Sequence, residues 1–379
     1  MLELPPLSLY VHIPWCVRKC PYCDFNSHES ADKIPENAYL DKLIKDLKND
    51  LPWAQNRKLR SIFFGGGTPS LFSARAIEQI IQRAETLIGF EDDIEITLEA
   101  NPGTAEQQKF ADFKSAGVNR LSLGVQSFNN DHLSALGRIH DGNNARRAIE
   151  MAQNSGFDRL NVDLMHGLPN QTRAQAITDL ETAINTGTTH ISWYQLTIEP
   201  NTAFYSKPPI LPVEDQLADI QDLGQKTLAD AGFEQYEISA FARNAEHCNH
   251  NINYWQFGDY IGIGAGAHGK ITLPDQNKII RTAKTRQPNH YLNHEVTALA
   301  ANTPIAEDQL ALEFMMNGLR LTSGVTEDLL TTRTGLLIDQ IRPKIDRLQQ
   351  EGFLKPQSSK YCTTDLGMRF LDTILQRFS

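Results

Sequence analysis

Between residues 7 and 198, apolar β-branched runs alternate with amphipathic helical stretches, and few folds accommodate that order. Strands are expected at 7–13, 59–64, 94–100, 120–125, 160–165 and 190–198. Apolar residues at helical spacing mark 39–51, 74–88, 105–116, 144–155 and 173–186 between them. In 39–51, Leu40, Leu43, Ile44, Leu47 and Leu51 form one face; Asp41, Lys42, Lys45 and Asp46 occupy the polar positions. Gly117, Gly156 and Gly187 close three of these helices. Strict alternation implies a parallel sheet with right-handed crossovers. Six units fit a partial barrel better than a complete one, so the expected core is an α/β partial (β/α)6 barrel.

In such barrels the C-terminal strand ends form the rim where sites are built, and the unusual residues of this chain gather there. The first strand runs into Cys16-Val17-Arg18-Lys19-Cys20-Pro21-Tyr22-Cys23, three thiols at C-x3-C-x2-C spacing. Thiolates bind soft metals. A structural zinc wants four protein ligands and would have to borrow His12 or Asp24. An iron–sulfur cube held by three cysteines keeps one iron open to a substrate or cofactor. The second strand ends in Gly65-Gly66-Gly67-Thr68-Pro69, where the missing Cβ lets backbone approach a ligand. Glu99 ends the third strand, Gln126 follows the fourth, and Asp163 lies in the fifth. Carboxylates accept hydrogen bonds from hydroxyls, and Arg138 can grip a carboxylate in bidentate fashion. Tyr10, on the first strand, also reads as ordinary β packing. Each residue alone also reads as the solvated end of a strand; the repetition from strand to strand is the signal.

The length, 379 residues, allows a barrel and one or two appendages. A net charge of -10 argues against a broad nucleic-acid footprint. Of five cysteines, three are in the motif, and Cys248 and Cys362 stand apart. That is no disulfide framework and suits a reducing, cytoplasmic setting. Residues 1–6 lack the basic start and long apolar core of a signal peptide. No apolar run reaches the roughly 18 residues of a membrane span; peripheral membrane contact and a homodimer stay open. After a proline-rich break at 207–212 come an expected helix at 214–232, a strand at 236–241 and a glycine-rich run at 262–269. From 303, helices at 307–319 and 336–351, a turn at Gly352, a strand near Tyr361 and a helix at 366–378 read as a winged-helix-like, mainly helical domain. The expected division is 1–235, a connector at 236–302 and 303–379. Acids slightly outnumber bases in the last part, which favours a packing or docking module over a DNA reader.

The cysteine motif resembles the signature of the radical S-adenosylmethionine (SAM) enzymes. In that family the open iron of a [4Fe-4S] cluster chelates SAM, and one electron cleaves it to methionine and a 5′-deoxyadenosyl radical. The runs Tyr-x-His-Ile-Pro-x-Cys, Glu-x-Asn-Pro and Leu-Gly-Val-Gln-Ser-Phe, with the glycine-threonine-proline turn, resemble the oxygen-independent coproporphyrinogen oxidase branch, over nearly the whole chain. The resemblance implies that Cys16, Cys20 and Cys23 ligate the cluster. It also implies that Tyr10, Tyr22, Gly66, Gly67, Thr68, Glu99, Gln126, Arg138 and Asp163 contact SAM. One departure is Phe25, where the dehydrogenases of the branch carry a further cysteine. Another is His250-Asn251-Ile252-Asn253-Tyr254-Trp255, similar to the His-Asn-x-x-Tyr-Trp stretch of a haem-chaperone group in the same branch. That likeness implies haem as cargo, handed to apo-haemoproteins such as respiratory enzymes. His250 is then a candidate axial ligand, with Tyr254 and Trp255 on the porphyrin face. His250 holding a loop by hydrogen bonds, and Cys248 as a rival ligand, are the competing readings. The functional expectation is a haem chaperone. The alternatives are oxidative decarboxylation of coproporphyrinogen III to protoporphyrinogen IX and radical SAM chemistry on another substrate.

Overall fold

The computed structural model describes residues 1–30, 34–103, 109–294, 298–357 and 359–378. Twelve strands share one sheet: β1 (Leu7–Ile13), β2 (Leu59–Gly66), β3 (Phe90–Ala100), β4 (Arg120–Gln126), β5 (Arg159–His166), β6 (His190–Gln195), β7 (Glu234–Glu237), β8 (Ala240–Ala242), β9 (Asp259–Ile263), β10 (His268–Leu273), β11 (Lys278–Lys284) and β12 (Leu299–Pro304). Their order is β12-β11-β10-β9-β1-β2-β3-β4-β5-β6-β8-β7. β1 to β6 run parallel, as the alternation requires. β9 adds a seventh parallel strand on the far side of β1. The other strands extend the two edges antiparallel.

Side-chain alternation sorts this sheet into two faces. In β1, Leu7, Leu9, Val11 and Ile13 are fully buried in the main apolar core. Tyr10 and His12 face the opposite way, into the barrel lumen. The same holds for Ile96 and Leu98 against Thr97 and Glu99, and for Leu121 and Leu123 against Ser122 and Gly124. One face packs on helices while the other stays polar and lines a cavity. The covering helices follow local rules. Ser73 caps Ala74–Leu87, its Oγ accepting from Ala76 N at 3.2 Å, and Ile77, Ile80, Ile81 and Ala84 form the buried stripe. Thr172 and Gln175 build a capping box on Arg173–Asn185.

Several boundaries differ from the sequence expectation. The stretch 236–302, expected as a connector, contributes β8 to β11 to the same sheet. The single strand expected at 236–241 is two, β7 and β8, which pair in a tight hairpin. Of the helix expected at 105–116, residues 105–108 lie outside the described residues, and Phe110–Ser115 is helical. The C-terminal part forms helices Glu307–Gly318, Glu327–Thr334 and Ile338–Gln350, with an antiparallel pair between Val325–Thr326 and Lys360–Tyr361, around a second core that also takes in Leu2, Phe257 and Ile279. The helix expected at 366–378 is two short ones, Asp365–Arg369 and Leu371–Leu375. Among the described residues no helix is long and apolar enough to cross a membrane.

The polar face of Glu36–Asp50 is covered in part. Asp46 and Asp50 are buried, and Lys284 Nζ of β11 donates to Asp46 Oδ1 and Asp50 Oδ2, each at 2.6 Å. Tyr291 donates to Asp46 Oδ2 at 2.8 Å. This group ties the β10–β12 edge to the helix. Lys284→Ala leaves two buried carboxylates without their cation, so it is expected to cost about 3–5 kcal/mol in chemical denaturation. A loss under about 1 kcal/mol would show that the ammonium is dispensable.

Candidate functional site

A cavity of about 910 Å³ opens at the C-terminal ends of the parallel strands and reaches their N-terminal ends. It has a rim, a wall and a floor.

The rim begins where β1 ends. Trp15–Cys16 pairs with His28–Glu29, closing the cysteine stretch into a loop. Cys23 N donates to Cys20 O at 3.1 Å, so the last two thiols sit on one turn. Cys16, Cys20 and Cys23 all line the cavity. Burial raises the Cys16 thiol pKa; a hydrogen bond with Thr68 opposes that. Among the described residues no group of three or more His, Cys, Asp or Glu side chains is placed to hold a single metal ion. Three thiols spread around one opening suit a polynuclear cluster, in which each cysteine ligates a different iron.

Asn26 fixes this loop, and the sequence analysis passed it over. Its Nδ2 donates to Ala265 O and Arg286 O, both at 2.9 Å, and its backbone O bonds His12 Nε2 at 3.0 Å. Gly266 makes that approach possible: its φ is +80°, and a Cβ there would meet Asn26 Nδ2 at 2.2 Å. The glycine-rich run thus serves as the bed of the cysteine loop.

The wall holds the other rim residues. Gly66 has φ +112°, and a Cβ on it would lie 2.5 Å from the His12 ring; its N–H donates to Glu99 Oε2 at 3.3 Å. Gly67 N and Thr68 N donate to Ile13 O and Trp15 O, each at 2.8 Å, tying the glycine turn to the cysteine loop. Gln126 takes a left-handed φ of 69°, unusual for a non-glycine residue and a place where backbone strain is held. Arg138 donates to Asn101 Oδ1 at 2.5 Å and Gly124 O at 2.6 Å, and lies 3.5 Å from Cys20 Sγ. Asn101, the Asn of the Glu-x-Asn-Pro run, donates to Thr68 Oγ1 at 2.9 Å and so links β2, β3 and Arg138. Tyr22 leans on Phe204, and Tyr10 bonds His12 Nδ1 at 3.0 Å. All nine residues expected around SAM line this one cavity.

Glu99 and Asp163 are the electrostatic centre of the wall. Burial, then the Asp163 charge, pushes the Glu99 carboxyl up to about 8. Burial also raises Asp163, despite hydrogen bonds from Asn161 at 2.8 Å and Ser122 at 3.1 Å. Neither has an ion-pair partner among the described residues. Two desolvated acids without a counter-ion suit a ligand with a cationic centre and hydroxyls, as SAM has.

The floor is the helix Asn249–Trp255, laid across the N-terminal strand ends. The amides of Asn249 and His250 donate to Glu95, at 3.1 and 2.9 Å. His250 Nδ1 bonds Ser61 Oγ at 2.9 Å, and the ring lies 4.9 Å from Phe63. Burial lowers the imidazole to about 4, so it is neutral and its other nitrogen is suited to metal ligation. Asn253 Nδ2 donates to Ser8 Oγ and to Asp259 O, joining the floor to β1 and β9. Cys248 bonds Glu95 at 3.5 Å, and burial pushes its thiol up to about 12. Tyr254 lines the cavity; one face of Trp255 is taken by the Arg320 guanidinium at 4.3 Å.

Residues 10–183 match the radical SAM superfamily model, and 305–370 match the HemN C-terminal domain. The heme chaperone HemW of Escherichia coli is 47% identical over 378 residues, covering 100% of this chain and 99% of its own length. HemW of Haemophilus influenzae is 49% identical over 382 residues, with the same coverage. The chain belongs to the HemW family of radical SAM proteins. The solved coproporphyrinogen III oxidase HemN of Escherichia coli aligns with a TM-score of 0.82 at 22% identity, over 99% of this chain and 90% of that one. HemW membership thus comes with the HemN fold: a radical SAM barrel and a helical C-terminal region.

The HemW-type cysteine loop depends on the Asn26 clamp. In metal-free protein, Asn26→Ala is expected to speed alkylation of Cys16 by about tenfold, because the loop loses its side-chain bonds to Ala265 O and Arg286 O. Mass spectrometry of iodoacetamide-treated samples reads the rate; an unchanged rate would show that the pairing of Trp15–Cys16 with His28–Glu29 holds the loop unaided.

Proposed function

We propose that the protein is a cytoplasmic haem chaperone carrying a [4Fe-4S] cluster and SAM, and that it passes haem to apo-haemoproteins such as respiratory enzymes. One observation carries the reading: a single cavity joins the three-cysteine rim to the His250 floor. Cys16, Cys20 and Cys23 would hold the cluster. The Gly66–Thr68 turn, Glu99, Gln126, Arg138 and Asp163, with Tyr10 and Tyr22, would surround SAM. Bound there, the two groups supply one-electron chemistry. This chain's own residues fix the opening, neutralise a cationic ligand and exclude water. At the other end, His250 would meet the haem iron through Nε2, oriented by the Ser61 bond to Nδ1. Tyr254 and the exposed part of Trp255 would flank the porphyrin. Cys248 is the weaker candidate, since its thiol is held protonated beside Glu95. Peripheral membrane contact at delivery and a homodimer fit this role.

The coproporphyrinogen oxidase alternative loses ground to two features. Phe25 stands where that chemistry's further cysteine is expected, and the full-length relatives are named haem chaperones.

Anaerobically reconstituted protein is expected to bind haem and to form no protoporphyrinogen IX from coproporphyrinogen III. His250→Ala should shift the haem absorption band and weaken binding; Cys248→Ala should change neither. Multiple turnovers of coproporphyrinogen III would establish the enzyme reading instead.

SAM binding should also depend on pH. With Glu99 raised to about 8, the free site is largely protonated at neutral pH, and a sulfonium cation favours the ionised form. Affinity is therefore expected to rise from about pH 7 and level off above about pH 8. Glu99→Gln should flatten the titration curve. A pH-independent affinity in the unaltered protein would remove Glu99 from the site.

A further inference from the structure

We infer that Arg286 and Arg18 form a carboxylate-binding pair at the cavity mouth that holds the propionate groups of the porphyrin; this rests on the haem reading above. The chain carries a net charge of -10, yet three basic side chains, Arg18, Arg286 and His268, line the cavity. Arg18 lies between the first two cysteines. Arg286 lies two residues beyond β11, and His268 opens β10 opposite Ala283. All three line the cavity, and Arg18, Arg286 and His268 are exposed. The place of Arg286 is fixed, because its carbonyl accepts from Asn26 of the cysteine loop at 2.9 Å. Its charge reaches the neighbouring imidazoles: His268 and His28 are lowered first by burial, and the Arg286 guanidinium adds to both.

The two guanidiniums are the uncommitted cations of this rim. Lys19 Nζ donates to Phe25 O at 3.2 Å and to Ser27 O at 3.1 Å. Among the described residues, no carboxylate lies within ion-pair distance of Arg18 or Arg286, although Asp24 and Glu199 also line the cavity. Beside them Phe25 is 61% exposed, an apolar ring at the same opening. A flat apolar ligand with carboxylates on one edge satisfies both features, because guanidinium grips carboxylate through paired hydrogen bonds. Haem has that form, with two propionates on one edge. SAM carries a carboxylate too, but Arg138, anchored to Asn101 and Gly124 O beside Cys20, is the cation among the residues expected around SAM.

The test compares iron protoporphyrin IX with its dimethyl ester, and both with SAM. It uses the reconstituted protein and its Arg286→Gln, Arg18→Gln and double variants, with iron content checked in each. The unaltered protein should prefer the diacid by about tenfold. The double variant should lose that preference by weakening only the diacid, and SAM affinity should stay unchanged. Preference retained in the double variant overturns the inference, as does equal binding of diacid and ester by the unaltered protein; the haem reading survives both. A fall in SAM affinity with haem binding intact assigns the pair to SAM and also overturns it. No binding of either porphyrin by the unaltered protein removes the haem reading itself.

Discussion

β1 is hydrogen-bonded on both sides, to β2 and to β9, and that double pairing organises the site. The strand cannot slip by one residue without turning Leu7, Leu9, Val11 and Ile13 into the lumen. With its register fixed, Tyr10 and His12 face the cavity, the chain leaves at Ile13 toward Cys16, and Ser8 meets the floor through Asn253. One strand thus aligns the cysteine loop, the wall and the His250 helix. β9 brings the glycine run beside the loop, and Asn26 closes the joint between them.

The lumen treats its acids in two ways, and the contrast separates structure from function. At the floor Glu95 is answered by Arg159 at 2.7 Å, by Arg120 and by two amides; together they overcome the burial penalty and leave its pKa lowered. That acid is neutralised at home and holds the helix Asn249–Trp255 in place. On the wall, among the described residues, Glu99 accepts from the Gly66 amide, and Asp163 is bonded by neutral donors, with the Arg120 charge a lesser influence that leaves its pKa raised. Burying acids without a counter-ion costs free energy that folding alone does not recover, and such groups mark binding sites. The strained Gln126 backbone beside them is a second sign of the same kind.

Much of this was legible in the sequence because parallel barrels write it plainly. Apolar residues alternate with polar ones on each strand, helices fall between, and the polar residues at strand ends converge without any knowledge of distance. Three things were not legible. Asp46 reads as an ordinary polar helix position because Lys284 of β11, which covers it, comes more than 200 residues later. β9 is only five residues long and runs into the glycine-rich stretch at 262–269, so its parallel pairing with β1, about 250 residues away in the chain, left no local pattern. Asn26 gave no pattern of its own; its role exists only through the carbonyls of Ala265 and Arg286. His250 was visible as a motif, but its helix, and the Ser61 and Glu95 contacts that seat it, needed the fold.

The central claim is that cluster and haem share one cavity, the cluster at its rim and the haem iron toward its floor. The direct measurement is the electron paramagnetic relaxation of the reduced cluster, recorded anaerobically with and without bound high-spin ferrous haem. A paramagnetic haem in the same cavity should shorten the cluster's relaxation and broaden its signal, while a diamagnetic zinc porphyrin bound there should not. Relaxation that is unchanged by stoichiometric high-spin ferrous haem would place the haem elsewhere on the protein and contradict the account.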